Sequence, residues 1–174
     1  RQMCIRDSSD TLGFMVQLLS SVAHIHSIGV AHCDIKPDNV LLTSQQCLKL
    51  CDFGYASACV SSAWLHGARG TIGYCAPECL CDRYNQLCDV WSSGCVLYDF
   101  VRLAGVVPRG AGEREALAFL RSNTFYERVV VPSGHLHRAG AEVESMLRKM
   151  LRFDVPTRVA AADALSMCRK SVHV

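Results

Sequence analysis

Residues 32–39 read HCDIKPDN, directly after a helix-like stretch and directly before the apolar Val40, Leu41 and Leu42. Asp34, Lys36 and Asn39 stand at close, odd spacing at the mouth of what reads as a strand. Three polar groups gathered on a short loop can hold a phosphate, a metal ion and a hydroxyl at once. The segments on either side say what kind of scaffold presents them.

Upstream, Leu12, Met15, Val16, Leu19, Val22 and Ala23 recur at helical spacing and predict a helix over Thr11–Ile28. Ser9 or Asp10 is placed to cap it, and Gly29 to stop it. Downstream, "VLL" (40–42) and "LKL" (48–50) flank a polar turn and predict a small hairpin. "CDFG" (51–54) follows, then about two dozen residues rich in Ser, Gly and Ala without a period, which predict a long functional loop. Residues 87–104 are apolar on most faces of a helix and therefore belong to the core. Gly105–Gly112 breaks the chain, and further helices are predicted over Glu113–Arg121, Ala141–Leu151 and Ala160–Arg169. The result is one mainly helical domain.

Composition narrows the field further. The 174 residues are long enough for a real core, half of them are apolar and a fifth charged, and the net charge is +2. No basic run points to nucleic acid or to an anionic membrane. The best candidate for a membrane span, Val90–Val107, is broken by Ser92, Ser93, Gly94, Asp99, Arg102 and Gly105, whereas a span needs ~20 predominantly apolar residues. Eleven cysteines are an odd number at irregular spacing. Their densest group, Cys75, Cys79, Cys81 and Cys88, lacks the paired two-residue spacing of a zinc site. They read as reduced thiols serving as small core residues, which places the chain in the cytoplasm or nucleus. Residues 1–8, RQMCIRDS, match in frame the translation of a sequencing adapter and are expected to be an artefact or a disordered tail. On that reading the natural chain continues upstream.

The polar motifs are weak singly and specific in order. HCDIKPDN, CDFG, GTIGYCAPE (70–78), DVWSSG (89–94) and RFDVPTR (152–158) follow one another as in the C-terminal lobe of a protein kinase, and the chain resembles that lobe over residues 9–170, with 171–174 a tail. The resemblance implies a helical lobe, from an α+β parent fold, with a small β-hairpin at the catalytic cleft. It also implies ATP and Mg²⁺ as cofactors and a protein substrate with a Ser or Thr acceptor. DIKPDN and Thr71 resemble the serine/threonine type.

Residue by residue, Asp34 matches the group that orients the attacking hydroxyl and takes its proton, and Lys36 the ammonium that stabilises the transferred phosphate. Asn39 and Asp52, short oxygen donors, match the Mg²⁺ ligands. Thr71 matches a threonine that bonds the catalytic Asp and Lys. Leu41 matches the residue beneath adenine, and Cys51 borders the nucleotide pocket. His32, Phe53 and Gly54 match the cleft's structural residues, Asp89 an acceptor of loop N–H groups, and Glu78 with Arg158 a buried ion pair. Cys33 departs from the pattern: many kinases carry an Arg there that receives an activation-loop phosphate, so control through Ser57, Ser61 or Ser62 is in doubt. The Gly-rich loop, strand Lys and helix Glu of the N-terminal lobe are absent, and activity is expected to require that lobe. The alternatives are a pseudokinase acting as scaffold or allosteric regulator, and a small helical binding module.

Overall fold

The computed structural model describes residues 8–59, 64–67, 70–102, 110–122, 125 and 140–172. Residues 1–7, Ser61, Ser62 and the stretch 103–107 lie outside them.

The first helix, α1 (Ser8–Ser27), buries Leu12, Met15, Leu18, Leu19, Val22 and Ile25. It starts about a turn earlier than the sequence reading placed it, so Ser9 and Asp10 lie within its first turn rather than ahead of it; no Pro or Gly in Ser8–Asp10 stops the helix there. Its buried face is broad because α1 meets several neighbours, among them the last helix, the central helix and the hairpin. Gly29 ends it at φ +73, a conformation glycine adopts without strain, and its N–H bonds the carbonyl of His26 at 3.0 Å.

A two-residue strand, β1 (Val30–Ala31), leads into the polar loop 32–39, and β2 (Val40–Leu42) leads out of it. β2 pairs antiparallel with β3 (Leu48–Leu50), Leu41 opposite Lys49. Gln17 of α1 clamps this hairpin: its Oε1 accepts from the N–H of Leu48 at 2.9 Å, and its Nε2 donates to the carbonyl of Gln46 at 3.3 Å. The segment after CDFG is more ordered than the absence of a period implied. Phe53–Tyr55 form a 3-10 turn, and β4 (Ser57–Ala58) pairs antiparallel with β1, Val30 opposite Ala58. Leu65 and Tyr84 form an isolated bridge.

The central helix α2 (Leu87–Arg102) is buried continuously from Cys88 to Tyr98. It is followed by α3 (Glu113–Leu120), α4 (Gly140–Met150) and α5 (Ala161–Val172). α4 turns Val143, Met146, Leu147 and Met150 into the core, and α5, packed against α1, buries Ala161, Ala164 and Cys168, whose thiol donates to the Leu12 carbonyl at 3.3 Å. A fully buried Leu or Met side chain contributes roughly 1.5–3 kcal/mol. Gly94 lets α2 and the end of α4 approach closely, since a Cβ there would stand 2.9 Å from Leu151 Cδ2 and 3.1 Å from Met150 Cβ.

One buried ion pair ties the chain's two halves. Both terminal nitrogens of Arg158 meet the Glu78 carboxylate, and the guanidinium also donates to the carbonyls of Leu87 and Arg152 and lies 5.1 Å from the Trp91 ring centroid. Trp91 is a core residue, stacked on Phe125 at 5.6 Å. Removing one partner of such a pair typically costs ~3–5 kcal/mol, because the other charge is left buried alone.

Candidate active site

The loop between β1 and β2 is built from polar groups that satisfy one another. Cys33 takes a left-handed backbone, φ 67, which bends the chain so that consecutive N–H groups point toward α2. There the buried carboxylate of Asp89 accepts from the N–H of His32 (Oδ2, 2.8 Å) and of Cys33 (Oδ1, 2.8 Å). His26 Nε2, from the end of α1, lies 2.9 Å from the same Oδ2. The sequence reading anticipated the loop's N–H bonds and missed His26; nothing in the local pattern marks a histidine at a helix end as a partner for a residue sixty positions on.

His32 is fully buried and is held on both ring nitrogens. Nδ1 accepts from the N–H of Asp34 at 3.3 Å, which leaves Nε2 to carry the proton and donate to the carbonyl of Cys51 at 2.9 Å. Its ring sits 4.8 Å from that of Phe53. The loop 32–39 and the turn 51–54 are thereby joined through one side chain.

Asp34, also buried, gathers the remaining polar groups. Lys36 Nζ donates to its Oδ2 at 2.8 Å and to Thr71 Oγ1 at 2.7 Å, and Thr71 Oγ1 in turn donates to Asp34 Oδ1 at 2.8 Å. Asn39 Nδ2 donates to the Asp34 carbonyl at 2.8 Å and to its Oδ2 at 3.2 Å. Asp34, Lys36, Asn39 and Thr71 are therefore one hydrogen-bonded cluster, although Thr71 is far away in sequence. The bond to Asp34 holds the Lys36 ammonium above its ordinary pKa; burial opposes this, and the charges of Asp34, Asp38 and Asp52 add to it.

Asp52 stands beside the cluster on an exposed turn. Its backbone is left-handed, φ 60, and its Oδ1 accepts from the N–H of Gly54 at 3.2 Å. The thiol of half-buried Cys51 donates to the carbonyl of Asn39 at 3.3 Å. Leu41 projects from the hairpin, 54% exposed, and Phe53 is 45% exposed. Three residues after Thr71, the hydroxyl of half-buried Tyr74 donates to Asp99 of α2, and Ser92 Oγ donates to the Tyr74 carbonyl at 2.9 Å. Burial, and then the bond to Asp99, push the Tyr74 phenol upward.

The protein kinase domain family matches residues 2–168. This chain belongs to it. The kinase domain is 32% identical over 167 residues to serine/threonine-protein kinase cds1 of Schizosaccharomyces pombe, covering 91% of this chain and 35% of that protein. It is 30% identical over 164 residues to serine/threonine-protein kinase dkf-1 of Caenorhabditis briggsae, covering 91% of this chain and 21% of that one. Calcium/calmodulin-dependent protein kinase type II of the same nematode is 35% identical over 155 residues, which are 87% of this chain and 28% of the relative. The chain thus spans little more than a third, or less, of the length of these relatives. Among the described residues, no helix of the kinase domain is long and apolar enough to cross a membrane.

Proposed function

We propose that the protein containing this domain transfers the γ-phosphoryl group of ATP to Ser or Thr hydroxyls of protein substrates. The observation that carries the proposal is the Asp34–Lys36–Thr71 triangle, in which a carboxylate, an ammonium and a hydroxyl from two distant segments are held within 2.7–2.8 Å of one another. A solvated lysine and a turn aspartate have no need of a threonine thirty-five residues on.

In this reading Asp34 fixes the acceptor hydroxyl and takes its proton as the oxygen attacks phosphorus and the bond to the leaving diphosphate breaks. Its two oxygens are already oriented by Lys36, Thr71 and Asn39, so the carboxylate enters the reaction without reorganising. The Lys36 ammonium, kept charged by its bond to Asp34, stands where phosphoryl charge develops. The donor set fits Mg²⁺: Asn39 spends its amide nitrogen on Asp34 and keeps its oxygen for a hard cation, and Asp52 offers an exposed carboxylate. When bound, the metal and ATP supply the phosphoryl group and neutralise its charge. Leu41 and Cys51 would border the base of the nucleotide pocket.

The 174-residue chain alone is proposed to be inactive for lack of the N-terminal lobe, and the protein to reside in a reducing compartment, cytosol or nucleus. Cys33, Cys47, Cys51, Cys75, Cys79, Cys81, Cys88, Cys95 and Cys168 carry free thiols, in keeping with that. A scaffold without catalysis, the alternative, has no observation in its favour, since the cluster around Asp34 is intact.

The test is made in a chain completed with an N-terminal lobe. Asp34→Asn should lower kcat by at least ~10²-fold while nucleotide binding stays nearly unchanged; Asp52→Asn should instead weaken Mg²⁺-dependent nucleotide binding. Equal, mild losses in both variants would contradict the assigned roles.

A further inference from the structure

Outside the Asp34 cluster, a groove of about 370 Å³ opens where four segments meet: Trp64, the stretch 77–83, the end of α3 and residues 153–156. Two arginine–aromatic pairs line it. The Arg83 guanidinium lies over the Trp64 ring, 4.6 Å from its centroid, and the Arg121 guanidinium lies 5.9 Å from the centroid of Phe153. Both rings are exposed, Trp64 by 41% and Phe153 by 40%. The first pair is set by the antiparallel bridge of Leu65 with Tyr84, whose two N–H bonds of 2.7 and 3.1 Å bring the neighbours Trp64 and Arg83 together. Arg121 closes α3, its N–H donating to the Leu117 carbonyl at 3.1 Å, and its Nη2 reaches to 3.7 Å from Cys81 Sγ. Pro77, Val155 and Pro156 add an apolar lining.

The positive charge of this groove is not balanced within the chain. Glu78 also lines it, but that carboxylate is spent on Arg158. Asp154 is the other acid there, and among the described residues no carboxylate is in ion-pair contact with Arg83 or Arg121. A guanidinium held against a ring has one face covered and its N–H edge open, so its orientation is largely fixed before a ligand arrives. That edge meets a carboxylate with two parallel hydrogen bonds. Two such forks at one apolar groove match a segment in which acidic residues flank an apolar one. We propose that the groove is a docking surface for an acidic segment of a partner protein, its carboxylates held by Arg83 and Arg121 and its apolar side chain set against Pro77, Val155 and Pro156. None of these residues belongs to the Asp34 cluster, so occupancy of the groove is measured without ATP and independently of phosphoryl transfer.

The test is fluorescence anisotropy of a labelled peptide of glutamates flanking one leucine, titrated with the full 174-residue chain under reducing conditions. The expected result is saturable binding with Kd below ~1 mM, weakening as salt is raised from about 0.05 to about 0.5 M. The same peptide with glutamine in place of every glutamate should not saturate. Arg83→Ala and Arg121→Ala should each raise Kd at least ~5-fold, while Arg169→Ala, at an exposed position of α5, leaves it unchanged. If one groove variant fails to fold by circular dichroism, the other is read by the same criterion. A glutamate peptide that does not saturate, a glutamine peptide that binds equally well, or a Kd that the groove substitutions leave unchanged overturns the proposal.

Discussion

The floor of the 32–39 loop and the rim formed by the hairpin and the 53–55 turn invert the usual distribution of residues. In the floor, polar and charged groups are buried: His32, Asp34, Asn39 and Asp89, each hydrogen-bonded. At the rim, apolar groups are exposed: Leu41, Leu42, Phe53 and Tyr55. Buried polar groups persist only where their partners are complete, since an orphaned donor or acceptor costs ~1–3 kcal/mol. Exposed apolar groups carry no such debt within this chain. The floor is therefore finished by the lobe itself, whereas the rim is a surface whose stabilising value would come from whatever covers it.

Removing the floor's carboxylate is the most forceful way to break this contrast. Asp89→Leu should destabilise the fold by about 3–5 kcal/mol, because the N–H groups of His32 and Cys33 lose their acceptor inside the core. Asp89→Asn, with one acceptor oxygen left, should cost about half as much. Urea titrations followed by circular dichroism measure both, and a loss below ~1 kcal/mol for Asp89→Leu would show that the floor is not what holds the loop.

Alkaline titration sharpens the contrast at intermediate size. Burial pushes the Cys75 thiol from its ordinary 9.0 up to about 12, the Cys168 thiol to about 11 and the Cys95 thiol well above the ordinary value; the Cys88 thiol is raised well above it too. For Cys88 the leading cause is the neighbouring Cys33 side chain, then that of Cys79, ahead of burial. In each case the folded pKa is raised, so the stabilisation is complete below pH 9 and is lost as pH rises toward the folded value, while the unfolded thiols ionise. At pH 10 Cys75 alone should contribute about 1 kcal/mol of that loss. Unfolding midpoints measured between pH 8 and pH 10.5 should fall steadily; a flat profile would mean that these thiols are solvated.

The rim should give the smallest effect. Leu41→Ser should change stability by no more than about 0.5 kcal/mol, while binding of a hydrophobic dye decreases. By contrast Leu19→Ala, at a fully buried position of α1, should cost about 2–5 kcal/mol. A large loss from Leu41→Ser would mean that the hairpin rim is packed after all.

What could be read in advance followed from how far a signal reaches along the chain. The helical spacing from Leu12 to Val22, the hairpin around a polar turn and the apolar run of α2 are local patterns, and all three elements are present. That Asp34, Lys36, Asn39 and Thr71 come together was legible because they lie in short motifs of fixed order, with Thr71 placed by resemblance. The pairing of β1 with β4 was not legible, since two-residue strands leave no period to detect. The partnership of His26 with Asp89 and the meeting of Cys33 with Cys88 beside Asp89 were equally hidden, because tertiary packing alone brings them together.

The carboxylate of Asp89 also has a mechanical consequence. It is fixed to the axis of α2, and through it the end of α1 and the bend at Cys33 are indexed to that helix rather than to the short strands on either side of the loop. The loop therefore has no slack of its own. The amides of His32 and Cys33 can open to solvent only when the helix releases them, so the 32–39 loop breathes with a helix buried continuously from Cys88 to Tyr98 and inherits its precision from there.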